Sequence, residues 1–427
     1  MKDVVIIDGF RTPYAKAGTA LKDVPAVDLG AAVMKELIAR TDVDKDNIDE
    51  VIVGNAGMPA EAANIARVIA LRAGLPERIP AYSVQRNCAS GMQAAASAYT
   101  QILAGMSEVV LVGGVESMSN YGFLMSKKLQ RAITAVQRSR TLGAKVKPWL
   151  SLRPRDFLPQ AGLIQGLTDP ISGLIMGETA EVLVRDFGIT RREQDELALT
   201  SHRRWTAANE AGKFKNEVVP FYVPPKMEAV EEDVGPRKNQ TMEALAKLPP
   251  YFDRRYGTVT AGNSSPITDG AAAALVMSAE KANKLGMKPL GFIKTVAFAG
   301  FDPSRMGISP LYSTHKALKL AGMKMTDIEL IELNEAFAAQ IIAIERAAVS
   351  KEYFARHLPG EDPIGEFRRD LMNVNGGAMA VGHPVGSSGI RIVITLLKEM
   401  ERRGLSTGLA TLCIGGGQGG TMIVERR

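Results

Sequence analysis

Two thiols, one imidazole and one carboxamide stand out in this chain of 427 residues. Cys88 lies in Gln85-Arg-Asn-Cys-Ala-Ser-Gly-Met92, and Ala89 to Ala104 behind it is almost free of bulky polar side chains, the pattern of a tightly packed helix. A cysteine at a helix start faces unpaired N–H groups, which favour an anion and lower a thiol pKa. The chemistry to expect is nucleophilic attack by a thiolate, with a buried structural cysteine as the plainer alternative. His383, in Val381-Gly-His-Pro-Val-Gly-Ser-Ser-Gly389, is flanked by glycine and proline, which fix a loop around an uncrowded ring. That setting suits a general base beside a nucleophile. The other histidines, His202, His315 and His357, stand in helical or charged contexts and read as surface residues. Cys413 opens Cys-Ile-Gly-Gly-Gly-Gln-Gly-Gly420, where glycines let backbone N–H groups approach a ligand and form an oxyanion hole. Its thiol could pass a proton, and no Gly-Lys-Ser/Thr follows to suggest a phosphate loop. Asn334, in Asn334-Glu-Ala-Phe337, can fix a water or donate to a developing oxyanion, or cap the next helix.

The elements that must position these groups alternate between helix and strand. Asp28 to Ala39 carries Leu29, Val33, Leu37 and Ile38 on one helical face. Val51–Val53, Val109–Val112, Leu330–Leu333 and Leu409–Leu412 are short apolar runs, as in strands covered on both sides by helices. The ends of the chain also match each other. Asn47 to Ala56 aligns with Asp327 to Ala336, and each follows an amphipathic helix, Asp28 to Ala39 and Ser313 to Ala321. Small-residue helix starts come later in each, at Cys88–Gly91 and Gly386–Gly389, and each closes on an apolar strand running into glycines, Val112-Gly113-Gly114 and Leu412 to Gly415. Four pairings in the same order favour duplicated α/β halves. Residues 119–265 break the pattern with proline, charge and irregular segments and read as an inserted subdomain, and Ser350 to Asp370 as a smaller polar insertion. The expected division is 1–118 plus 266–289, the insertion 119–265, and 290–427.

Composition narrows the class. Apolar residues form 46% of the chain, which excludes a disordered protein, and no apolar run approaches the roughly 18 residues of a membrane span. Two distant cysteines exclude a disulfide framework or cysteine-rich zinc site, and with a strand-like Val4-Val5-Ile6-Ile7 near the start they point to the cytoplasm. The net charge of +6 is local. Lys127, Lys128, Arg131, Arg138, Arg140, Lys145, Lys147, Arg153 and Arg155 occur with no acidic residue among them, and the remaining chain is slightly acidic. As a helix, Met125, Leu129, Ala132, Ile133 and Val136 share a face opposite Lys127, Arg131 and Arg138, a pattern suited to an interface, with Trp149 as a second anchor. Few aromatics are interleaved, so nucleic acid is not expected.

Asn87-Cys-Ala-Ser-Gly91, Gly257 to Ser265, Asn334 to Phe337, Gly382-His-Pro-Val-Gly386 and Cys413-Ile-Gly-Gly-Gly417 resemble, in order, the signature blocks of the thiolase family. The resemblance implies layered α-β-α-β-α halves with an inserted loop subdomain, and acyl transfer between coenzyme A and a cysteine thioester. Carried onto matching positions, Cys88 is the acyl acceptor, His383 its base and a thioester-oxygen ligand, and Cys413 the proton shuttle. Asn334 then holds a water at one oxyanion site, and the backbone N–H groups of Cys88 and Gly415 form the other. Arg237, Ala261, Ser265, Met176 and Met306 resemble positions along bound coenzyme A, which is a substrate; no metal or covalent cofactor is implied. Ile175 precedes Met176 where acetoacetyl-specific members tend to carry histidine, which favours a broader 3-ketoacyl-CoA thiolase over one that condenses two acetyl-CoA. A decarboxylating ketosynthase would use one cysteine with histidines, and the intact set argues against a non-catalytic acyl-CoA- or lipid-binding relative. The resemblance further implies a homodimer or homotetramer. The basic segment is similar to one in thiolase subunits of the fatty-acid oxidation complex, which points residues 123–155 to a membrane surface or partner subunit. Those subunits usually carry histidine where this chain has Asn334.

Overall fold

A computed structural model describes residues 2–427. Nine strands build its main sheet, β1 (Val4–Arg11), β2 (Glu50–Gly54), β3 (Ala81–Val84), β4 (Val109–Ser117), β5 (Thr268–Ser278), β6 (Gly291–Gly300), β7 (Leu330–Leu333), β8 (Thr407–Ile414) and β9 (Gln418–Glu425), with a two-residue strand at Ala15–Lys16 beside β5. Their order is β7-β8-β9-β6-β1-β5-β4-β2-β3. From the centre outward each side begins alike, with two antiparallel pairings and then a parallel one, and the β1 side adds a further parallel pairing of β2 with β3. The sides meet only at Val5↔Phe292 and Ile6↔Gly291.

So narrow a junction lets the sheet turn over a shared middle layer. That layer consists of α2 (Ser90–Leu103) and α9 (Val385–Arg403), while α1 (Ala26–Thr41) and α7 (Ser309–Ala321) cover the outer faces. Strand alternation assigns the side chains: Val4 and Ile6 enter the middle core with Ile390 and Ile394, whereas Val5 and Ile7 face α1. The remaining helices used below are α3 (Lys127–Arg138), α4 (Leu142–Leu150), α5 (Met176–Phe187), α6 (Arg191–Glu210) and α8 (Ala338–Ala348).

Strands β4 and β5 are adjacent and antiparallel although residues 118–267 separate them in sequence. That stretch is more regular than its composition suggests. Helix α6 runs 20 residues behind a Thr190–Glu193 capping box and buries Leu197, Ala198, Ser201, His202 and Trp205. His202 is therefore not a surface residue: its Nδ1 accepts the Arg237 N–H at 3.2 Å, and burial lowers its pKa to about 4. The polar run after Ser350 likewise holds a short helix, Lys351–His357, anchored by buried Phe354 and Phe367.

One strand boundary also differs from expectation. β4 continues through Gly113 and Gly114 to Ser117, because its glycines answer close packing rather than a turn. A Cβ on Gly114 would lie 2.3 Å from the Gly386 carbonyl oxygen, and one on Gly91 would lie 2.9 Å from that same oxygen. The first turns of α2 and α9 thus press against each other and against β4 backbone to backbone.

Gly386→Ala would bring its Cβ to 2.5 Å from the Val115 carbonyl oxygen, with backbone on both sides of the clash. It should destabilise the protein by about 1–3 kcal/mol, read from the urea midpoint. Gly143→Ala, where the added methyl meets nothing within 4 Å, should change it by less than about 1 kcal/mol.

Candidate active site

The close crossing of α2 and α9 sets where the chemistry can occur. Cys88 lies three residues before Gly91, and His383 three residues before Gly386. Glu116, buried at the end of β4, ties the start of α9 to the loop after β2. One of its oxygens accepts the Gly386 N–H at 2.9 Å and the Ala56 N–H at 2.9 Å; the other accepts Asn55 Nδ2 at 2.9 Å and the Gly57 N–H at 3.0 Å.

Before α2 the chain turns sharply. Asn87 takes a left-handed φ of 43°, and its Nδ2 donates to the Gly415 carbonyl at 2.9 Å. A non-glycine residue held there is strained, which a structure retains where the turn is fixed from outside. The turn leaves Cys88 half-buried, with the backbone N–H groups of Gly415 and of Cys88 itself near enough to its sulfur to offset part of the burial electrostatically. The helix start does not lower this thiol's pKa as its position suggested. Burial pushes it up, the two N–H groups pull it down, and nearby Glu116 adds to the rise.

Gly415, Gly416 and Gly417 form the hairpin turn between β8 and β9, with Gly416 at φ 88° and Gly417 at φ 72°. Left-handed backbone at both positions explains the glycine run. Cys413, two residues earlier on β8, is buried, and its thiol donates to Gln340 Oε1 at 3.4 Å. Burial drives its pKa far up, and Cys88 is near enough to add to the effect. Gln340 Nε2 in turn donates to the Asn334 carbonyl at 3.1 Å.

Asn334 follows β7 and is buried, yet neither Oδ1 nor Nδ2 has a protein partner. The N-cap of α8 is Phe337, so capping does not occupy the Asn334 side chain. A buried carboxamide with both ends open is a place for a water or a ligand oxygen. His383 is in a similar condition: Nδ1 lies 2.6 Å from Ser388 Oγ, and buried Nε2 has no partner. Burial, aided by the Arg391 charge, lowers its pKa to about 3, so the ring is neutral at physiological pH. The loop at His383 is held by its own N–H on the Pro266 carbonyl at 3.4 Å.

The remaining positions divide. Met176, first residue of α5, has its sulfur 3.5 Å from where a Cβ on Gly415 would stand, and Ser265 donates its N–H to the Ala336 carbonyl beside the site. Met306 is packed in the apolar core beneath the β7–β8 side of the sheet. Ala261 and Arg237 are exposed, and Arg237 approaches through its backbone contact with His202. Sequence reasoning missed Gln340, Ser388 and Glu116. Ser388 stood inside the His383 motif, and Gln340 follows Asn334 by six residues; Glu116 had no local signal. Among the described residues no group of three or more His, Cys, Asp or Glu is placed to hold a metal ion.

Comparison with known proteins agrees along the whole chain. Residues 4–280 match the thiolase N-terminal domain and residues 287–426 the thiolase C-terminal domain. A 3-ketoacyl-CoA thiolase of Pectobacterium carotovorum is 43% identical over 424 residues, covering 99% of this chain and 96% of the relative. One from Yersinia enterocolitica is 43% identical over 423 residues, again covering 99% and 96%. Human mitochondrial 3-ketoacyl-CoA thiolase in complex with CoA superposes with a TM-score of 0.87 at 36% identity, covering 100% of this chain and 98% of that one. The Bacillus anthracis acetyl-CoA acetyltransferase does so with a TM-score of 0.87 at 39% identity, covering 100% and 99%.

The two thiols should be told apart by iodoacetamide. Cys88 should be carboxamidomethylated first, more slowly at pH 7 than a free cysteine and increasingly fast above pH 9, because its thiol pKa is raised. Cys413 should stay unmodified until the protein unfolds, as peptide mass spectrometry would report. Rapid Cys88 labelling at pH 6 would instead show a thiolate–imidazolium pair in the free protein.

Proposed function

The chain belongs to the thiolase family, and from that premise we propose that it cleaves 3-ketoacyl-CoA with coenzyme A through an acyl-enzyme on Cys88. It is an acyltransferase, giving acetyl-CoA and an acyl-CoA two carbons shorter, the thiolytic step of fatty-acid oxidation. The observation that carries the reading is the meeting of Cys88, Gly415, Cys413 and Asn334 around the α2–α9 crossing, with His383 Nε2 open to accept a proton.

In this reading His383 Nε2 takes the Cys88 proton as the sulfur attacks the 3-keto carbon. The Cys88 and Gly415 N–H groups, which lie near the sulfur, receive the oxygen of the tetrahedral intermediate. Breaking the C2–C3 bond leaves an enolate of acetyl-CoA. His383 and a water on the open Asn334 carboxamide stabilise its oxygen, and Cys413 gives its proton to the carbon. A second coenzyme A, deprotonated by Cys413, then attacks the Cys88 thioester and releases the shortened acyl-CoA. Cys413 fits the acid's part because burial holds it as a neutral thiol. Condensation of two acetyl-CoA is not favoured, since relatives at 43% identity are 3-ketoacyl-CoA thiolases.

We assign coenzyme A to the face of the insertion, with Met176 and Ser265 near the thioester, Met306 behind the acyl group, and Ala261 and Arg237 toward the nucleotide. The same reading keeps 1–118 plus 266–289 and 290–427 as the two halves and 119–265 as the insertion. A homodimer or homotetramer is proposed on the free edge of the sheet, where four-residue β3 pairs only with β2. Two unpaired thiols suit the reducing cytoplasm.

The basic segment 123–155 is proposed to lie against an anionic membrane surface. The apolar face of α3 is not available for this, because Leu129 and Ala132 are buried. Helix α4 carries the face instead: Leu142, Val146, Trp149 and Leu150 share one side and are all exposed, Leu142 and Leu150 by 80% and 81%. Lys145 and Lys147 flank that side. No helix among the described residues is long and apolar enough to cross a membrane, so any contact would be peripheral.

Thiolysis measured over β-ketoacyl-CoA chain lengths should show activity beyond four carbons, and Cys88→Ala should lower it by about 1000-fold or more. Inactivity of the wild type at every length would sink the reading. In flotation with phosphatidylserine vesicles, the wild type should rise with the lipid and a Leu142→Ser, Trp149→Ser, Leu150→Ser variant should stay below. Equal flotation of the two would exclude α4 as the contact, and no flotation of either would leave a partner subunit as its occupant.

A further inference from the structure

The His383 ring has two nitrogens, and only one arrangement of its proton leaves it able to act on Cys88. Nδ1 lies 2.6 Å from Ser388 Oγ, and that oxygen lies 3.1 Å from the Pro384 carbonyl. A carbonyl oxygen can only accept, and a serine hydroxyl has one proton to give. If that proton goes to Pro384, Oγ is left to accept from Nδ1–H, and Nε2 carries a lone pair. If it goes instead to Nδ1, Nε2 must hold the ring proton.

The surroundings of Nε2 discriminate between the two. Nε2 is buried with no partner. An Nε2–H would be a buried donor with nothing to receive it, and an orphaned buried N–H is rarer in folded proteins than an under-satisfied acceptor. The Nδ1–H arrangement also satisfies all three remaining atoms at once: Nδ1–H on Oγ, and Oγ–H on Pro384. Ser388 is rigidly held. It is fully buried in the first turn of α9, its N–H donates to the Pro384 carbonyl at 3.0 Å, and neighbouring Ser387 Oγ is fixed by Tyr14 Oη at 2.6 Å.

We propose that Ser388 is a positioning residue that holds His383 as the Nδ1–H tautomer and so directs the Nε2 lone pair at the Cys88 thiol. The inference rests on His383 being the base for Cys88. In that step the Cys88 S–H bond breaks, its proton forms a bond to Nε2, and Nδ1–H stays on Ser388 Oγ throughout. An uncharged serine has a consequence that an aspartate would not have. It fixes the tautomer without stabilising the imidazolium by charge, and the Arg391 guanidinium, one turn along α9, disfavours the cation further. The ring therefore returns its proton readily to the Cys88 sulfur when coenzyme A displaces the acyl group, instead of remaining trapped as half of an ion pair.

The test is 15N magic-angle-spinning NMR of the histidine-labelled full-length protein at pH 7, with the His383 signals identified by their loss in His383→Asn. The wild type should show a protonated Nδ1 and an unprotonated Nε2. Ser388→Ala should move the ring toward the Nε2–H form and lower kcat for thiolysis about 10- to 100-fold, with KM within about 2-fold. Ser388→Thr, which keeps the oxygen, should recover most of kcat. A wild-type ring protonated at Nε2 overturns the proposal, as does Ser388→Ala with an unchanged tautomer or unchanged kcat. Should the wild type carry the expected tautomer but have no thiolysis activity at any chain length, it is the assignment of function that fails, and with it the role of this histidine.

Discussion

The structure depends on one close approach. Where α2, α9 and β4 meet, Gly91, Gly114 and Gly386 bring backbone against backbone with no room for a Cβ. Two helices from opposite ends of the chain can then share a middle layer, and the turns that precede them stand side by side. Packing between larger side chains would hold helix axes about 8–10 Å apart and would separate Cys88 from His383 accordingly. Glu116 reinforces the approach by fixing the α9 start to the 55–57 loop beside β4, and its burial among four donors makes it costly to remove. The Cys88 turn, the His383 loop and the β8–β9 hairpin are each fixed relative to this crossing.

Such tight packing decides the electrostatics. A helix start favours an anion by a few tenths to about 2 kcal/mol, which is smaller than the desolvation cost of a largely enclosed thiolate. Cys88 therefore remains a thiol at rest, and His383 beside Arg391 remains neutral. Beneath them, Glu332 pairs with Arg391 at 3.3 Å, yet burial still raises the Glu332 pKa to about 8. Buried Glu335, facing the Ser201 hydroxyl and Asn373 amide, is likewise shifted up. The site thus holds few net charges before its ligand arrives, and proton transfer waits for a carbonyl to accept the nucleophile.

Much of this was legible in the sequence because the relevant signals are local. The apolar runs at Val51, Val109, Leu330 and Leu409 are strands, and the small-residue stretch after Cys88 is helix α2. What escaped were consequences of contacts far apart in the chain. Gly113 and Gly114 resembled a strand end because a glycine pair usually marks a turn, whereas Gly114 is there to meet Gly386, more than 270 residues away. His202 looked exposed because its own helix is polar, and only the packing of α6 against the C-terminal side buries it. The α3 stripe was correctly apolar, but periodicity gives a face without naming what covers it. Glu116 was invisible for the same reason: its partners come from residues 55–57 and 386.

The two thiols show how a duplicated framework acquires unequal parts. Cys88 sits on a strained turn with the Gly415 and Cys88 N–H groups near its sulfur, a setting that lowers the cost of negative charge there and of the oxygen that follows it. Cys413 is enclosed within its strand, and its hydrogen-bond partner, Gln340 Oε1, can accept a hydrogen bond but cannot donate one. The Gln340 amide is oriented by the Asn334 carbonyl, which takes Nε2–H and so turns Oε1 toward the sulfur. One thiol is thereby given donors and the other an acceptor. Donors favour the anion and an acceptor favours the acid, so two like residues, one before a helix and one on a strand, are driven toward opposite chemistry by the polar groups each is offered.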